Sequence, residues 1–365
     1  MAEVGRTSGG RGLGRLERLP VRRIVLVGLS LGVATAVVYG SYRTLTLPAD
    51  ERYSGSAWRD FLVLGIAQGA VYALIALGYT LVYGILRMIN FAHGEVFMAG
   101  AFGSYFFADA WKKSGFMDDH LVLSLVLLVL LAMTVAVTVA VMLERIAYRP
   151  LRGSPRLVPL ITAIGASLFL QNTFRGLFGS QTRGFPKPTG LEGTWTILSI
   201  PMQKVQALVL VVAAVSMIAL TLFVARTKTG KSMRAAAEDA EIASLMGINV
   251  DRVIVTTFVI GGMLAGIAGV LFALTFGNIS YFMGFAPGIT AFTAAVLGGI
   301  GSISGAAIGG FTIGILQSVG PALLLTGVNV PSPFQLKDVV TFLILVLVLL
   351  FRPGGILGTG EAEKV

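Results

Sequence analysis

The chain has 365 residues, of which 55% are hydrophobic and only 13% are charged, and its mean hydropathy is +0.84. Soluble domains carry about 25% charged residues, so this composition excludes an ordinary cytosolic enzyme, a disordered tail and a secreted disulfide scaffold. It predicts an all-α polytopic membrane protein. The chain has no Cys and only two His, which argues against disulfides, Cys nucleophiles and Cys or multi-His metal sites.

Apolar runs without charged residues place the predicted helices along the chain. A membrane-spanning helix needs about 20 apolar residues, and residues 253–336 contain no charged side chain at all. The segment 96–108 is short and fits a re-entrant helix as well as a span. In total the runs predict about nine or ten transmembrane or re-entrant helical segments, at residues 24–42, 61–86, 96–108, 121–143, 157–174, 205–225, 253–276, 286–300, 303–326 and 339–351.

Residues 1–60 form a separate region of the sequence. Basic residues, among them Arg11 and Arg15, precede the first apolar run, and no small-x-small cleavage site follows it. We therefore expect a basic cytoplasmic arm, an uncleaved extra transmembrane helix and an external linker. Placing both termini in the cytoplasm assigns 18 of the 28 Lys and Arg residues to the inside, as the positive-inside rule requires. The net charge of +10 thus needs no nucleic acid partner.

The stretch Arg87–Glu95 places polar side chains between two apolar runs. It contains Asn90, His93 and Glu95, and ionisable residues at membrane depth are functional candidates because each costs about 2.5–3.5 kcal/mol to insert. At helical spacing Asn90 and His93 would share a face, with Glu95 off it. Together with Tyr79 on the preceding run, these residues are candidates for the pathway of a zwitterionic or amide-bearing solute. The alternatives are a solvated interfacial loop and, for Tyr79, simple packing.

The predicted cytoplasmic loop 226–252 contains a helix-forming stretch. Residues 233–245 are rich in Ala and Glu and predict one amphipathic helix that Gly247 terminates. Its expected apolar side is formed by Ala237, Leu245 and Met246, and its charged surroundings by Arg234, Glu238, Asp239 and Glu241. Such a helix could bind in a groove of a partner protein and transmit its movement. It could equally serve only to connect two membrane spans.

Glycines four residues apart recur in the second half of the chain. Small residues at that spacing allow close helix packing, as in Gly262 with Gly266 and Gly310 with Gly314. The cluster at 298–301 also fits a helix break that lines a cavity. The sequence leaves both interpretations open.

Several motifs occur together, in the order and with the spacing found in ABC importer permeases. They are Ile89–Glu95, Ala235–Asp239 with Met246–Val253, Ala291–Ser302, and Gly354–Gly358. On these motifs, residues 61–365 resemble the LivH-type permease subunits of high-affinity branched-chain amino acid transporters. The region 1–60 is additional to that pattern.

The resemblance implies an ABC importer permease architecture in the bacterial inner membrane, with leucine, isoleucine and valine as solutes. It implies a periplasmic binding protein that delivers the amino acid, a LivM-type permease that pairs with this chain, and two ATPase subunits that bind ATP. The chain itself is then a transport subunit in contact with membrane lipid, with no catalytic residues, metal or cofactor. Loop 226–252 resembles the segment that couples to an ATPase, which assigns that role to Arg234, Ala237, Glu238, Asp239 and Gly247.

Two other functions remain compatible with the residues. Permeases for urea or short amides share the same ground plan and would differ only in the solute. A passive solute channel belongs to another class of protein, and it would need no coupling helix in loop 226–252.

Overall fold

Helices make up most of the chain, for which a computed structural model describes residues 18–155, 157–197, 199–352 and 354–357. The predicted arm at 1–17 and Gly358 of the last motif lie outside the described residues. The described chain divides into two compact units. One contains the residues up to Arg52 together with Gly320–Phe334, and the other contains Tyr53–Val319 and the residues from Gln335 onward.

The smaller unit contains helix α1 (Arg18–Leu45), which includes the predicted first apolar segment 24–42. The helix packs against residues 320–334 near its C-terminal end. There, Gly40 lies against the carbonyl group of Leu324, so that any side chain at position 40 would overlap it. The hydroxyl of Thr44 accepts a hydrogen bond of 2.8 Å from the backbone N–H of Gly327.

Among the described residues, the larger unit holds the remaining α-helices, a π-helix and four short strands. The helices are α2 (Gly55–Leu86), α3 (His93–Lys113), α4 (Phe116–Asp119), α5 (Leu121–Met142), a π-helix (Leu143–Tyr148), α6 (Leu157–Phe178), α7 (Lys204–Arg226), α8 (Lys228–Glu238), α9 (Ala240–Leu245), α10 (Val250–Phe276), α11 (Phe285–Gly298), α12 (Ile303–Leu325, which extends into the smaller unit) and α13 (Lys337–Phe351). The strands β1 (Arg183–Gly184) and β4 (Asn278–Ile279) pair antiparallel, as do β2 (Thr194–Ile197) and β3 (Ile200–Gln203).

Seven helical stretches in the described part of the chain are long and apolar enough to cross a membrane. Helix α3 has 21 residues and is about 31 Å long. It is longer than the segment predicted at 96–108. Helix α11 has 14 residues and is about 21 Å long. It is shorter than a hydrocarbon core of about 30 Å, which fits a re-entrant segment. The predicted fold class, an all-α polytopic membrane protein, is confirmed.

Helices α2 and α10 form the core of the larger unit, and glycines allow their neighbours to approach closely. On α10, a Cβ atom at Gly262 would lie 2.9 Å from the Cα atom of Val137, and one at Gly266 would lie 2.7 Å from the carbonyl oxygen of Ala132 on α5. On α12, a Cβ atom at Gly314 would overlap the backbone of Gly69 on α2. The predicted packing role of these glycines is confirmed.

The predicted break at 298–301 is also present, but its residues are not among those that line the described cavities, so the cavity-lining part of that prediction is wrong. Helix α11 ends there, and Gly299 and Gly301 both have positive φ angles, of 104° and 99°. After α13, the chain returns to this point, where the backbone N–H groups of Ile356 and Leu357 donate to the last carbonyl groups of α11. The break therefore receives backbone contacts from the C-terminal motif.

Asp118 in the short helix α4 connects two loops. Its carboxylate accepts a hydrogen bond of 2.8 Å from the ammonium group of Lys112, and it also accepts bonds from the backbone N–H and the hydroxyl of Thr189. These donors, above all Lys112, lower the pKa of Asp118 to about 2. The carboxylate therefore stays ionised, and the contacts remain, throughout the neutral pH range.

Candidate functional site

A cavity of ≈ 250 Å³ lies within the larger unit, where α2, α3, α6 and α11 meet. This volume is below the range of about 300–1,000 Å³ that is typical of drug-sized ligands, so the cavity suits a smaller solute. Glu95 carries the only carboxylate among the described residues that line it. The full lining consists of Tyr79, Phe91, Glu95, Ile164, Ser167, Leu168, Gln171, Gly284, Phe285, Gly288 and Ile289.

One face of α6 supplies four of these lining residues. Ile164, Ser167, Leu168 and Gln171 follow the spacing of three and four residues that places side chains on one side of a helix. Two of the four are polar and two are aliphatic, so this face gives the cavity both a polar and an apolar part.

Glu95 is held by the polar side chains of α6. Its Oε1 atom accepts a hydrogen bond of 2.7 Å from Gln171 Nε2 and one of 3.1 Å from Ser167 Oγ. The side chain is buried, with 1% of its surface exposed, and its Oε2 atom has no hydrogen-bond partner among the described residues. A Cβ atom at Gly284 would lie 2.7 Å from this oxygen. The free oxygen therefore lies beside another residue of the cavity wall.

Tyr79 brings an aromatic ring to the same cavity. Its ring meets the imidazole of His93 edge to face, with the ring centroids 4.9 Å apart, and it also contacts Phe292. A Cβ atom at Gly288 would lie 3.4 Å from the Tyr79 hydroxyl and 3.1 Å from the Cα atom of Gly94. The two glycines thus allow α3 and α11 to close around the tyrosine.

The other two predicted pathway residues lie outside the cavity lining. Asn90 precedes α3, and its Oδ1 atom accepts a hydrogen bond of 2.6 Å from the hydroxyl of Tyr148 on the π-helix. The predicted helical face shared by Asn90 and His93 is therefore wrong, because α3 begins only at His93. Among the four candidates, the structure brings Tyr79 and Glu95 to the cavity and places Asn90 and His93 behind it.

His93 fills a notch between helices. It is 2% exposed, and a Cβ atom at Gly78 on α2 would overlap its ring, while one at Gly261 on α10 would lie 3.5 Å from its Cε1 atom. His93 therefore packs α3 against both core helices and supports the ring of Tyr79 from behind.

Replacing His93 with alanine is expected to lower the unfolding temperature of the purified protein by about 5 °C or more, because large-to-small changes in a core leave a cavity. Thermal unfolding in detergent measures the effect. His120→Ala is the matched control, since the chain's other histidine is exposed. Equal unfolding temperatures for the two variants would contradict the packing role.

Loop 226–252 forms two helices, α8 and α9, and the prediction of one continuous helix over 233–245 is wrong. Asp239 lies at the break with extended backbone, and its Oδ1 atom accepts hydrogen bonds from the backbone N–H groups of Glu241 and Ile242. Asp favours such N-cap geometry over a helix interior. Gly247 ends α9 as predicted, with a positive φ of 84°.

The break also changes which apolar residues share a side. Met233, Ala236 and Ala243 are buried against the rest of the unit, and Ala237 is half-buried. Leu245, Met246 and Ile242 are exposed, with 81%, 79% and 59% of their surfaces accessible. The predicted single face of Ala237, Leu245 and Met246 is therefore wrong. The loop instead presents a compact apolar knob, formed by Ile242, Leu245 and Met246. Arg234 and Glu238 are exposed beside it.

Polar contacts connect this loop to α2, which lines the cavity, and to the π-helix. Arg87 ends α2, and its Nη2 atom donates a hydrogen bond of 3.0 Å to the carbonyl oxygen of Ala237. Arg152 forms ion pairs with both Glu144 of the π-helix and Asp251 of α10. Glu144 is fully buried. The loop is thus attached to α2, the π-helix and α10.

Three polar residues of this region were not identified from the sequence. Ser167 and Gln171 are polar side chains four residues apart in an apolar run. This spacing is the sequence feature that indicates a polar face on α6. Tyr148 lies between the predicted segments 121–143 and 157–174, and nothing in its spacing indicates its hydrogen bond to Asn90.

The apolar helices, the cavity between them and the exposed loop between α7 and α10 describe a multi-pass membrane transport protein. The model of the family described as "branched-chain amino acid transport system / permease component" matches residues 61–349. The chain belongs to this family of transport permeases, and it is a multi-pass protein of the inner membrane.

Relatives match over most of their length. The high-affinity branched-chain amino acid transport system permease protein LivH of Escherichia coli is 45% identical over 306 residues, which are 82% of this chain and 96% of that protein. The corresponding permease protein BraD of Pseudomonas aeruginosa is 45% identical over 309 residues, 83% of this chain and 97% of that protein. A solved structure of a metal-chelate type ABC transporter in an inward-facing conformation covers 91% of this chain and 99% of that chain, at 17% identity and a TM-score of 0.44.

Proposed function

We propose that this chain is the permease subunit of an ABC importer that translocates the branched-chain amino acids leucine, isoleucine and valine. The cavity at Glu95 carries the proposal, because it combines a carboxylate with an aliphatic and aromatic wall. A branched-chain amino acid carries an ammonium group and a short aliphatic side chain, which match those two features. The function in the names of LivH and BraD supports the same solutes.

The residues predicted from the sequence take two roles in this proposal. Tyr79 and Glu95 line the pathway of the amino acid. Asn90 and His93 act from behind, since each holds a neighbouring element or ring in place.

The exposed side of the cavity supports a second permease as a partner. Ile164, Leu168 and Phe285 line the cavity, yet 46%, 53% and 43% of their surfaces are exposed. A LivM-type permease packed against this side would complete the wall of the pathway. The chain contains no Cys, so a single cysteine at Leu168 can be cross-linked to this partner without background.

Loop 226–252 supports coupling to ATPase subunits. The apolar knob of Ile242, Leu245 and Met246 projects from a segment with charged residues, as expected for a short helix that enters a partner's groove. One of the two ATP-binding-cassette subunits, which would bind ATP, would dock there through Arg234, Ala237, Glu238, Asp239 and Gly247. In this proposal the loop and both chain termini lie in the cytoplasm, and a periplasmic binding protein would deliver the amino acid to the opposite face.

The test is energised uptake of radiolabelled leucine into vesicles that contain this chain, the partner permease, the ATPase subunits and the binding protein, with labelled urea in parallel. We expect ATP-dependent leucine uptake that requires this chain. Uptake of urea instead would keep the architecture and overturn the solute. Downhill flux without ATP or partners would overturn the importer and favour a passive channel.

A further inference from the structure

The carboxylate of Glu95 is fixed through one oxygen and free at the other. Gln171 and Ser167 both donate to Oε1, so the carboxylate plane is held by two donors from one helix face. Oε2 has no partner among the described residues although the side chain is buried. A buried carboxylate oxygen without a donor is unfavourable, and a donor that enters the cavity would relieve this cost.

The rest of the cavity wall determines what kind of donor fits. The lining residues among the described part of the chain include no Lys or Arg, so no cation of the wall neutralises Glu95. Around it lie the apolar side chains of Phe91, Ile164, Leu168, Phe285 and Ile289. A cationic head with a short aliphatic chain complements this arrangement. A carboxylate without an ammonium group would be repelled by Glu95, and urea offers neither charge nor an aliphatic part.

We propose that Glu95 Oε2 forms a subsite for the primary ammonium group of an aliphatic amino acid in transit. Gln171 and Ser167 are positioning residues that hold Oε1 and thereby direct Oε2 to the solute, and Ile164 and Leu168 contact the aliphatic chain. The proposal rests on the proposed function and deepens it, because it states how this permease distinguishes an amino acid from an uncharged amide. Neither Ser167 nor Gln171 was a candidate from the sequence.

The absence of Cys from the chain allows a direct probe of the charge in the cavity. Leu168→Cys, in the full reconstituted transporter, introduces a thiol into the wall that carries Glu95. Its modification rates are measured with the cationic reagent aminoethyl methanethiosulfonate and with the anionic sulfonatoethyl reagent. The ratio of the two rates should fall on the order of tenfold when Glu95 is replaced by Gln, because the attraction of the cation is lost.

The positioning role is tested with a matched pair of variants on α6. Gln171→Leu in the Leu168→Cys background should lower the same ratio, since the carboxylate then loses a donor that holds Oε1. Asn172→Leu is the control, because it also replaces an amide side chain with leucine, at the exposed neighbouring position. Ser167→Ala is the second positioning variant and keeps the test available if Gln171→Leu does not fold. If the ratio of the two modification rates is unchanged by Glu95→Gln, the subsite is overturned. If Asn172→Leu lowers the ratio as much as Gln171→Leu does, the positioning role is overturned.

Protection by small molecules separates this subsite from the proposed function. Leucine and isopentylamine should slow modification of the cysteine, and 4-methylpentanoate, which has the chain without the ammonium group, should not. Protection by isopentylamine without protection by leucine would support the subsite and overturn branched-chain amino acids as the solute. Protection by leucine that persists in Glu95→Gln would overturn the subsite and leave the proposed function standing.

Discussion

Replacing Leu245 and Met246 together with serine is expected to reduce ATP-driven uptake to less than about a tenth of the wild-type rate. The two side chains are the most exposed apolar residues of the knob, at 81% and 79%. Few residues dominate the binding energy of an interface, and exposed apolar side chains that enter a groove are typical of them. Because neither side chain is buried in this chain, the loss should come from docking and not from folding.

The measurements are leucine uptake, ATP hydrolysis stimulated by the loaded binding protein, and the ratio of ATPase subunit to permease after purification. Leu177→Ser is the control, since it makes the same kind of change at a side chain that is 70% exposed at the end of α6. Wild-type uptake with a normal subunit ratio in the Leu245→Ser, Met246→Ser variant would remove the docking role of the knob.

Two sets of contacts connect loop 226–252, which carries the knob, to the helices of the cavity. Arg87 links α8 to the end of α2, the helix that carries Tyr79. Tyr148 of the π-helix links to Asn90, which directly precedes the helix that carries Glu95. A change in the position of α8 would reach the cavity through Arg87 and α2. The second contact continues from the π-helix, which Arg152 connects to Asp251 at the start of α10. Energetic coupling is a separate quantity that double-mutant cycles across these pairs would measure.

The positions of the helices could be predicted because charges are costly in a membrane. The predicted helix boundaries are wrong where charged residues lie within the last turns of a helix. The sequence interpretation ended the third segment at Ala108, whereas α3 continues through Asp109, Lys112 and Lys113. The side chains of Asp109 and Lys113 form an ion pair one turn apart, and such residues are tolerated at a helix end where the side chains reach water.

The site was only partly predictable, for a different reason. A polar residue in an apolar run marks Glu95 as unusual, but its partners Ser167 and Gln171 are 72 and 76 positions away in the chain. No local pattern specifies that α6 packs its polar face on α3. In loop 226–252, the high helix propensity of Ala and Glu predicts one helix, and the capping preference of Asp239 overrides it.

Replacing Gly314 with leucine is expected to prevent folding of the larger unit. A Cβ atom at this position would already overlap the backbone of Gly69, and a Cβ atom at Gly69 would in turn lie 2.8 Å from the Cα atom of Phe311. Helices α2 and α12 thus meet backbone to backbone, and a leucine side chain would separate them. Because α2 also carries Tyr79 and Arg87, this would disrupt both the cavity and the attachment of loop 226–252.

The expected result is a loss of more than about 3 kcal/mol of stability, observed as little or no monodisperse protein in size-exclusion chromatography of a fluorescent fusion. Gly165→Leu is the matched control, because a Cβ atom at that glycine of α6 meets no atom within 4 Å. Leucine also has a higher helix propensity than glycine, so the control should fold at least as well as the unchanged chain. If Gly314→Leu and Gly165→Leu gave equal amounts of monodisperse protein, the close contact of α2 and α12 could not be what holds these helices together.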